Sequence, residues 1–339
     1  MRPDVGSPCR TRALRVFAAC LIGVTSLAQP GLVHAEWFFD EQAIMGTAVR
    51  VELWHEDSAQ GRLAIGVVMD DMRRIDAEMS TFKDDSEISR INAHAAEGPV
   101  QVSAELASLI ARALEFSETT HGAFDITYAS VGYLYDYRKH VKPDDATRER
   151  AVEAVDYRNV TVDLAANTVS FAKKGVRIDL GGIAKGYAVE HGAQLLRERD
   201  IEHAIVTAGG DSRIIGDRFG RPWMVGIRDP RSKEGVVTRV PLEDEAISTS
   251  GDYERFFEED GVRYHHILNP KTGKSADLVR SVTIIGPDGT STDALTKGVF
   301  IVGWEKGIEL IESLPGFETV IIDADGGLHY SKGLRQESP

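Results

Sequence analysis

Cysteine is almost missing from this 339-residue sequence, and its two copies, Cys9 and Cys20, both fall within the first 35 residues. From residue 36 onward no thiol exists to close a disulfide, act as a nucleophile or ligate a metal. Stability there must come from a sizeable core, which about 300 residues can supply. Long hydrophobic runs are also lacking. The apolar stretch Val16 to Leu27 is short of the roughly 20 residues needed to span a bilayer. Basic residues are in deficit, 39 Lys and Arg against 53 Asp and Glu, for a net charge of −14. A surface of that sign repels polyphosphate backbones and excludes nucleic acid as a partner. There is no internal repeat, low-complexity tract or evident linker.

What is present at the N-terminus reads as an export signal. Arg10, Arg12 and Arg15 precede the apolar stretch, and Val33-His-Ala35 offers a small-x-small cleavage site. Residues 1–35 are therefore expected to be a secretory signal peptide and the mature protein to be periplasmic. Cys20 sits too close to Arg15 to leave a proper apolar region before it, which argues against lipid anchoring. Without Arg2, Arg10, Arg12, Arg15 and Asp4, the remainder carries 35 basic and 52 acidic residues, a balance of −17. An anionic ligand must then be met by local devices: a helix N-terminus, a lysine or a metal ion. Residues 36–335 are expected to form the functional domain, with 336–339 a frayed end.

Periodicity supplies the elements. Val49 to Trp54 alternates as a strand, and Leu63 to Met79 places Val68, Met72, Ile75 and Met79 on one helical face. Ser103 can cap a second helix with the face Leu106, Leu109, Ile110, Ala113 and Leu114, ending at Gly122. Val160 to Val162 and Thr168 to Phe171 flank a turn at Ala166-Asn167. Further strands are expected at 204–207, 223–227, 262–267 and 282–285. A helix is expected from Asp293 to Val302, and a last hairpin around Asp325-Gly326-Gly327. Strands in neighbouring pairs between a few long helices predict an α+β fold with largely antiparallel sheets, not a doubly wound parallel one.

The most informative run is Val176-Arg-Ile-Asp-Leu-Gly-Gly-Ile-Ala-Lys-Gly-Tyr187. It reads as an apolar strand breaking at paired glycines into a helix with a lysine in its first turn. Such a break can bring backbone groups and helix-start N–H donors close to an anion. Gly181, Gly182 and Gly186 fit neither the Walker A spacing nor the dinucleotide fingerprint. Lys185 is either a point charge for a pyrophosphate or a solvated helix lysine. Asp293, where a polar stretch meets an apolar helix, is either a helix cap or a hard oxygen ligand for Mg²⁺. His265 and His266 point opposite ways in a strand, so only one can serve a site. That one is either a general base working near neutral pH or a satisfied structural histidine.

Met45-Gly-Thr47, Met79-Ser-Thr-Phe82, Ala123-Phe-Asp-Ile-Thr127, the glycine run, Thr207-Ala-Gly-Gly-Asp211, Ile247-Ser-Thr-Ser-Gly251, His266-Ile-Leu-Asn-Pro270 and Thr292-Asp-Ala-Leu-Thr296 follow one another along the chain. As a set they resemble the ApbE family of FAD:protein FMN transferases, from Met45 to about Gly303. The resemblance implies an ApbE-like fold and an enzyme that moves FMN from FAD to a threonine of an acceptor protein. That reaction makes a phosphodiester bond and releases AMP. It implies exported flavin-bearing domains of membrane electron-transfer subunits as acceptors. It implies His266 and Lys185 as catalytic groups, and Met45, Phe82, Ala123, Phe124, Asp125, Asp179, Lys185 and Leu268 at FAD. It also implies Mg²⁺ held by the Gly182 carbonyl and Asp293. Phe124 would pack against a ring, and Asp125 would accept from a ribose hydroxyl or an adenine amine. Two departures stand out. Phe82 replaces the more usual tyrosine, and Lys297 stands four residues after Asp293, where the family has a hydroxyl ligand. A charged ammonium cannot ligate a metal. The alternatives are a Mg²⁺-dependent FAD pyrophosphatase with water as acceptor, and a non-catalytic periplasmic flavin-binding protein.

Overall fold

A computed structural model describes residues 36–232 and 235–335. The expected leader and the C-terminal tail lie outside the described residues. Eight strands form one antiparallel meander in which sheet order follows chain order. They are β1 (Glu36–Ile44), β2 (Thr47–His55), β3 (Ala204–Ala208), β4 (Asp211–Ile215), β5 (Ala246–Gly251), β6 (Val279–Gly286), β7 (Glu318–Asp323) and β8 (Leu328–Tyr330). The α+β class expected from the strand clustering is what the chain adopts.

Long helices cover one face of this sheet. The first, α1 (Ser58–Met79), buries Val68, Met72, Ile75 and Met79, the face its periodicity marks out. The Asp57 carboxylate caps it by accepting from the N–H groups of Ala59 and Gln60. Next, α2 (Ala104–Thr119) starts at Ser103, whose hydroxyl accepts from Leu106 N–H. Then α3 (Ala184–Arg197) and α4 (Gly289–Val302) pack on the sheet and on one another. The opposite face carries a hairpin of Trp223–Arg228 with Val236–Leu242, whose Trp223, Ile227, Val240 and Leu242 pack on Ile214, Ile247, Ile285 and Val320.

Strand alternation decides what β5 offers each layer. Ile247 joins the far apolar cluster, while Ser248 and Ser250 point at α4. There they pair with the hydroxyls of Thr292 and Thr296, at 2.9 and 2.8 Å. The two motifs rich in serine and threonine are thus a single buried polar seam joining strand to helix.

Two expectations are corrected. Val176 to Leu180 pairs with no strand. Asn92 holds it instead, accepting from Ile178 N–H at 2.7 Å and donating to Ile178 C=O at 2.9 Å. The Ser130 hydroxyl accepts from Arg177 N–H, and Asp179 N–H donates to Ile126 C=O. A buried apolar segment of this length satisfies its backbone by either route, so apolar character alone does not identify a strand. Helix α4 also begins earlier than expected. Asp288 caps it by accepting from Ser291 N–H, which leaves Asp293 inside the helix and fully buried.

Helices α3 and α4 touch backbone to backbone at Gly186 and Gly289. A Cβ on Gly186 would stand 2.0 Å from the Gly289 carbonyl oxygen, and one on Gly289 would stand 2.6 Å from the Gly186 oxygen. Gly186→Ala is therefore expected to cost about 3 kcal/mol or more by forcing the helices apart. The thermal midpoint should fall by roughly 5–10 °C. An unchanged midpoint would show that the contact is looser than drawn.

Candidate active site

The glycine turn between Leu180 and α3 is folded by Asp179. Its Oδ1 accepts from Gly181 N–H at 2.6 Å and from the Tyr128 hydroxyl at 3.3 Å. Its Oδ2 accepts from the Thr81 hydroxyl at 2.8 Å, tying the Met79-Ser-Thr-Phe82 segment to the turn. Ile183 and Ala184 donate to Leu180 C=O, and Gly186 N–H donates to Asp293 Oδ2 at 2.9 Å. The start of α3 therefore spends most of its free N–H groups inside the protein, and the simple helix-N-terminus reading is corrected. What the paired glycines provide is room. A Cβ at Gly182 would stand 3.2 Å from the Phe124 ring and 3.6 Å from Lys297 Cγ, across the mouth of a cleft.

Ala123, Phe124, Asp125, Asp179, Gly182, His266 and Leu268 all line that cleft, joined by Ile126, Tyr128, Gly181, Ile267, Pro270, Lys297 and Ile301. Phe124 is fixed by its N–H on the Thr120 hydroxyl and by edge-on packing against Phe116. Asp125 is largely committed to its own loop. Its Oδ1 accepts from Thr127 N–H and Oγ, and its Oδ2 from Tyr157 N–H. Burial raises its pKa in spite of those bonds. These bonds hold Asp125 in place at the cleft wall, where it is one of the lining residues.

The two histidines separate, but not by alternation: the strand expected over 262–267 ends at His265, and His266 lies in the bend that follows. His265 is 3% exposed, its Nε2 faces Ala276 C=O at 2.6 Å, and its ring meets Phe300 edge-on. A carbonyl can only accept, so Nε2 carries the proton, and Nδ1 accepts from Ile267 N–H. His266 hangs from its N–H on Arg255 C=O and turns its ring to the cleft, with Nδ1 buried and unpartnered. Burial, followed by the positive neighbours Arg255 and Lys297, pushes its pKa down to about 3.

Met45 and Phe82 are not brought into this wall. Met45 sits in the β1–β2 turn at φ 53° and packs against the core, while Phe82 is 88% exposed. Lys185 and Asp293 lie behind the glycine turn rather than on the cleft surface. Lys185 is ion-paired with Asp211 and lies 3.7 Å from Asp293 Oδ2. Lys297 pairs with Asp293 Oδ1, donates to Asp293 C=O at 3.1 Å, and also lines the cleft. Asp211 was legible only as part of Thr207-Ala-Gly-Gly-Asp211. It is fully buried, with Oδ1 unpartnered and a pKa raised by burial and by Asp293. Asp293 in turn is held low by Lys185 and Lys297 in spite of burial, and Lys185 is held high by Asp211 and Asp293. Two lysines and two aspartates thus form a charge-neutral quartet under the cleft floor.

The Mg²⁺ set expected from Gly182 and Asp293 does not fit these residues. Asp293 Oδ1 is taken by Lys297 and Oδ2 by Gly186. The Thr296 hydroxyl is turned to Ser250 and Asp293 C=O. Among the described residues, no group of three His, Cys, Asp or Glu is placed to hold a metal. Two like unit charges about 4 Å apart repel by roughly 4 kcal/mol at an effective dielectric of about 20, and a divalent ion doubles that. A dication here would face two ammonium groups at once.

The ApbE family profile matches residues 45–321. The FAD:protein FMN transferase of Treponema pallidum (strain Nichols) is 33% identical, with 97% of this chain and 95% of the relative covered. That of Vibrio cholerae serotype O1 is 32% identical, over 76% of this chain and 78% of the relative. The crystal structure of the ApbE protein of Thermotoga maritima superposes with a TM-score of 0.81 at 38% identity, covering 88% of this chain and 98% of that one. The fold, the cleft and this span of similarity lead to one assignment: the chain belongs to the ApbE family.

Proposed function

We propose that this chain is an FAD:protein FMN transferase, which attaches FMN from FAD to a threonine of an acceptor protein and releases AMP. The observation that carries the reading is His266, a neutral imidazole with an unpartnered Nδ1, sharing one cleft wall with the Lys297 side chain. A phosphoryl-type transfer asks a protein chiefly for positioning and for positive charge around the phosphates. Phe124 and the apolar side chains of Ile126, Leu268 and Ile301 form the surface for ring systems, and the glycine turn admits the diphosphate beside Lys297.

The threonine oxygen attacks the FMN-side phosphorus while His266 takes the hydroxyl proton. The bond from that phosphorus to the bridging oxygen breaks, and the oxygen leaves on AMP. Lys297, backed by Lys185, stabilises the charge that gathers on the phosphate oxygens. The export signal expected at residues 1–35 supports a periplasmic setting for this reaction. There the acceptors are exported flavin-bearing domains of membrane electron-transfer subunits.

Mature protein mixed with FAD and such a domain should give in-gel flavin fluorescence that survives denaturation. Replacing the acceptor threonine by alanine should abolish the label, and AMP release should fall with it. AMP release that continues undiminished with the alanine acceptor would instead favour the pyrophosphatase, with water in the acceptor's place.

A further inference from the structure

We infer that Lys297 is a built-in cation that occupies the position of a dissociable metal, so that this chain binds FAD independently of divalent ions. The inference rests on the transferase reading above and assigns the charge chemistry of its diphosphate end.

Three observations carry it. First, Lys297 stands one helical turn after Asp293 on α4, with the carboxylate N-terminal to the ammonium, the favourable order for an i,i+4 pair. Its side chain is only 17% exposed, so the ammonium is held in place and does not wander in solvent. Second, the quartet is complete without a metal. Lys297 with Asp293 and Lys185 with Asp211 cancel, and the second oxygen of Asp293 is committed to Gly186 N–H. A divalent ion at Asp293 must first expel Lys297 and then sit beside Lys185. Third, Lys297 is the quartet member that lines the cleft, and the missing side chain at Gly182 leaves its stem open there. The positive group that meets the diphosphate is therefore covalently attached, and no chelator can remove it.

The test uses the mature wild-type protein and Lys297→Thr, with Lys297→Arg as a charge-preserving control. All are stripped with chelator and checked for folding by circular dichroism. Mn²⁺ binding is followed by the loss of the free-ion electron paramagnetic resonance signal, with and without FAD, and FAD binding by quenching of flavin fluorescence. Wild type and Lys297→Arg should take up no stoichiometric Mn²⁺, and their FAD dissociation constants should change less than about threefold between chelator and millimolar Mg²⁺. Lys297→Thr should take up about one equivalent of Mn²⁺, and its FAD binding should tighten at least tenfold, roughly, on adding metal. Should Lys297→Thr fail to fold, the wild-type titration decides alone. One equivalent of Mn²⁺ on wild type, or a chelator-induced loss of FAD binding, would overturn the inference. So would a folded Lys297→Thr with undiminished metal-free FAD affinity and no Mn²⁺ uptake. Absence of FAD binding under every condition sinks the transferase reading itself, whereas FAD binding that requires metal sinks only the resident cation.

Discussion

Replacing His266 by alanine is expected to slow FMN transfer by about 10²–10⁴-fold while leaving FAD bound. The ring lines the cleft and its buried Nδ1 has no protein partner, so its removal breaks no side-chain hydrogen bond within the fold. What disappears is an acceptor for the threonine proton. The pH dependence follows from the direction of the shift. With its pKa pushed down to about 3, His266 is neutral and able to accept a proton throughout the neutral range in the free protein. Protonation, and with it loss of the base, sets in only as pH falls towards that value. kcat/KM for FAD, which reports the free protein, should therefore show no acid limb from His266 between about pH 5 and 8. Bound diphosphate adds negative charge beside the ring and favours its protonated form. The acid limb of kcat, which reports the complex, should accordingly lie at higher pH than that of kcat/KM. Transfer by His266→Ala at the wild-type rate would remove it from the chemistry.

Its neighbour behaves differently. His265→Ala would be mild if the residue were merely the outward-facing member of an alternating strand. The structure buries it instead, with its N–H on Ala276 C=O and its ring on Phe300. Its loss leaves a cavity and an unsatisfied carbonyl, about 2–4 kcal/mol together. The thermal midpoint, rather than turnover in the surviving folded fraction, should register the change.

This contrast shows where sequence reasoning reaches and where it stops. The face of α1 and the Ser103 cap were legible because they obey local rules, spacing in one case and side-chain chemistry in the other. The cleft wall was legible through the order of short motifs, since no single one of them identifies it. Val176 to Leu180 was misread because a loop satisfied by Asn92 and Ser130 is as apolar as a strand. Asp293, among Ser and Thr neighbours, suits either a cap or a metal ligand by sequence, and of the two the cap role falls five residues earlier, to Asp288. Lys185 and Asp211 are 26 residues apart, and Gly186 and Asp293 are 107 apart. No pattern within one window joins them. Only Lys297, one turn from Asp293, announced itself locally.

Asp293→Ala is the substitution expected to damage most of these features together. The carboxylate accepts from Gly186 N–H, pairs with Lys297 and stands 3.7 Å from Lys185, all with no exposure to solvent. Removing it leaves two lysines against Asp211 alone and strands a buried N–H at the α3–α4 contact. Breaking a buried ion pair from one side costs about 3–5 kcal/mol, because the abandoned charge remains in place. The thermal midpoint should drop by on the order of 10 °C. Freed of its tether, Lys297 loses the geometry that presents it to the diphosphate, so FAD affinity should fall as well. Asp293→Asn separates the two effects. It keeps an oxygen able to accept a hydrogen bond but discards the charge, so it should recover part of the stability and little of the FAD affinity. The measurements are thermal melts and fluorescence titrations of both variants at matched ionic strength. An Asp293→Ala protein as stable and as tight for FAD as wild type would mean that the quartet is not the electrostatic floor of the cleft.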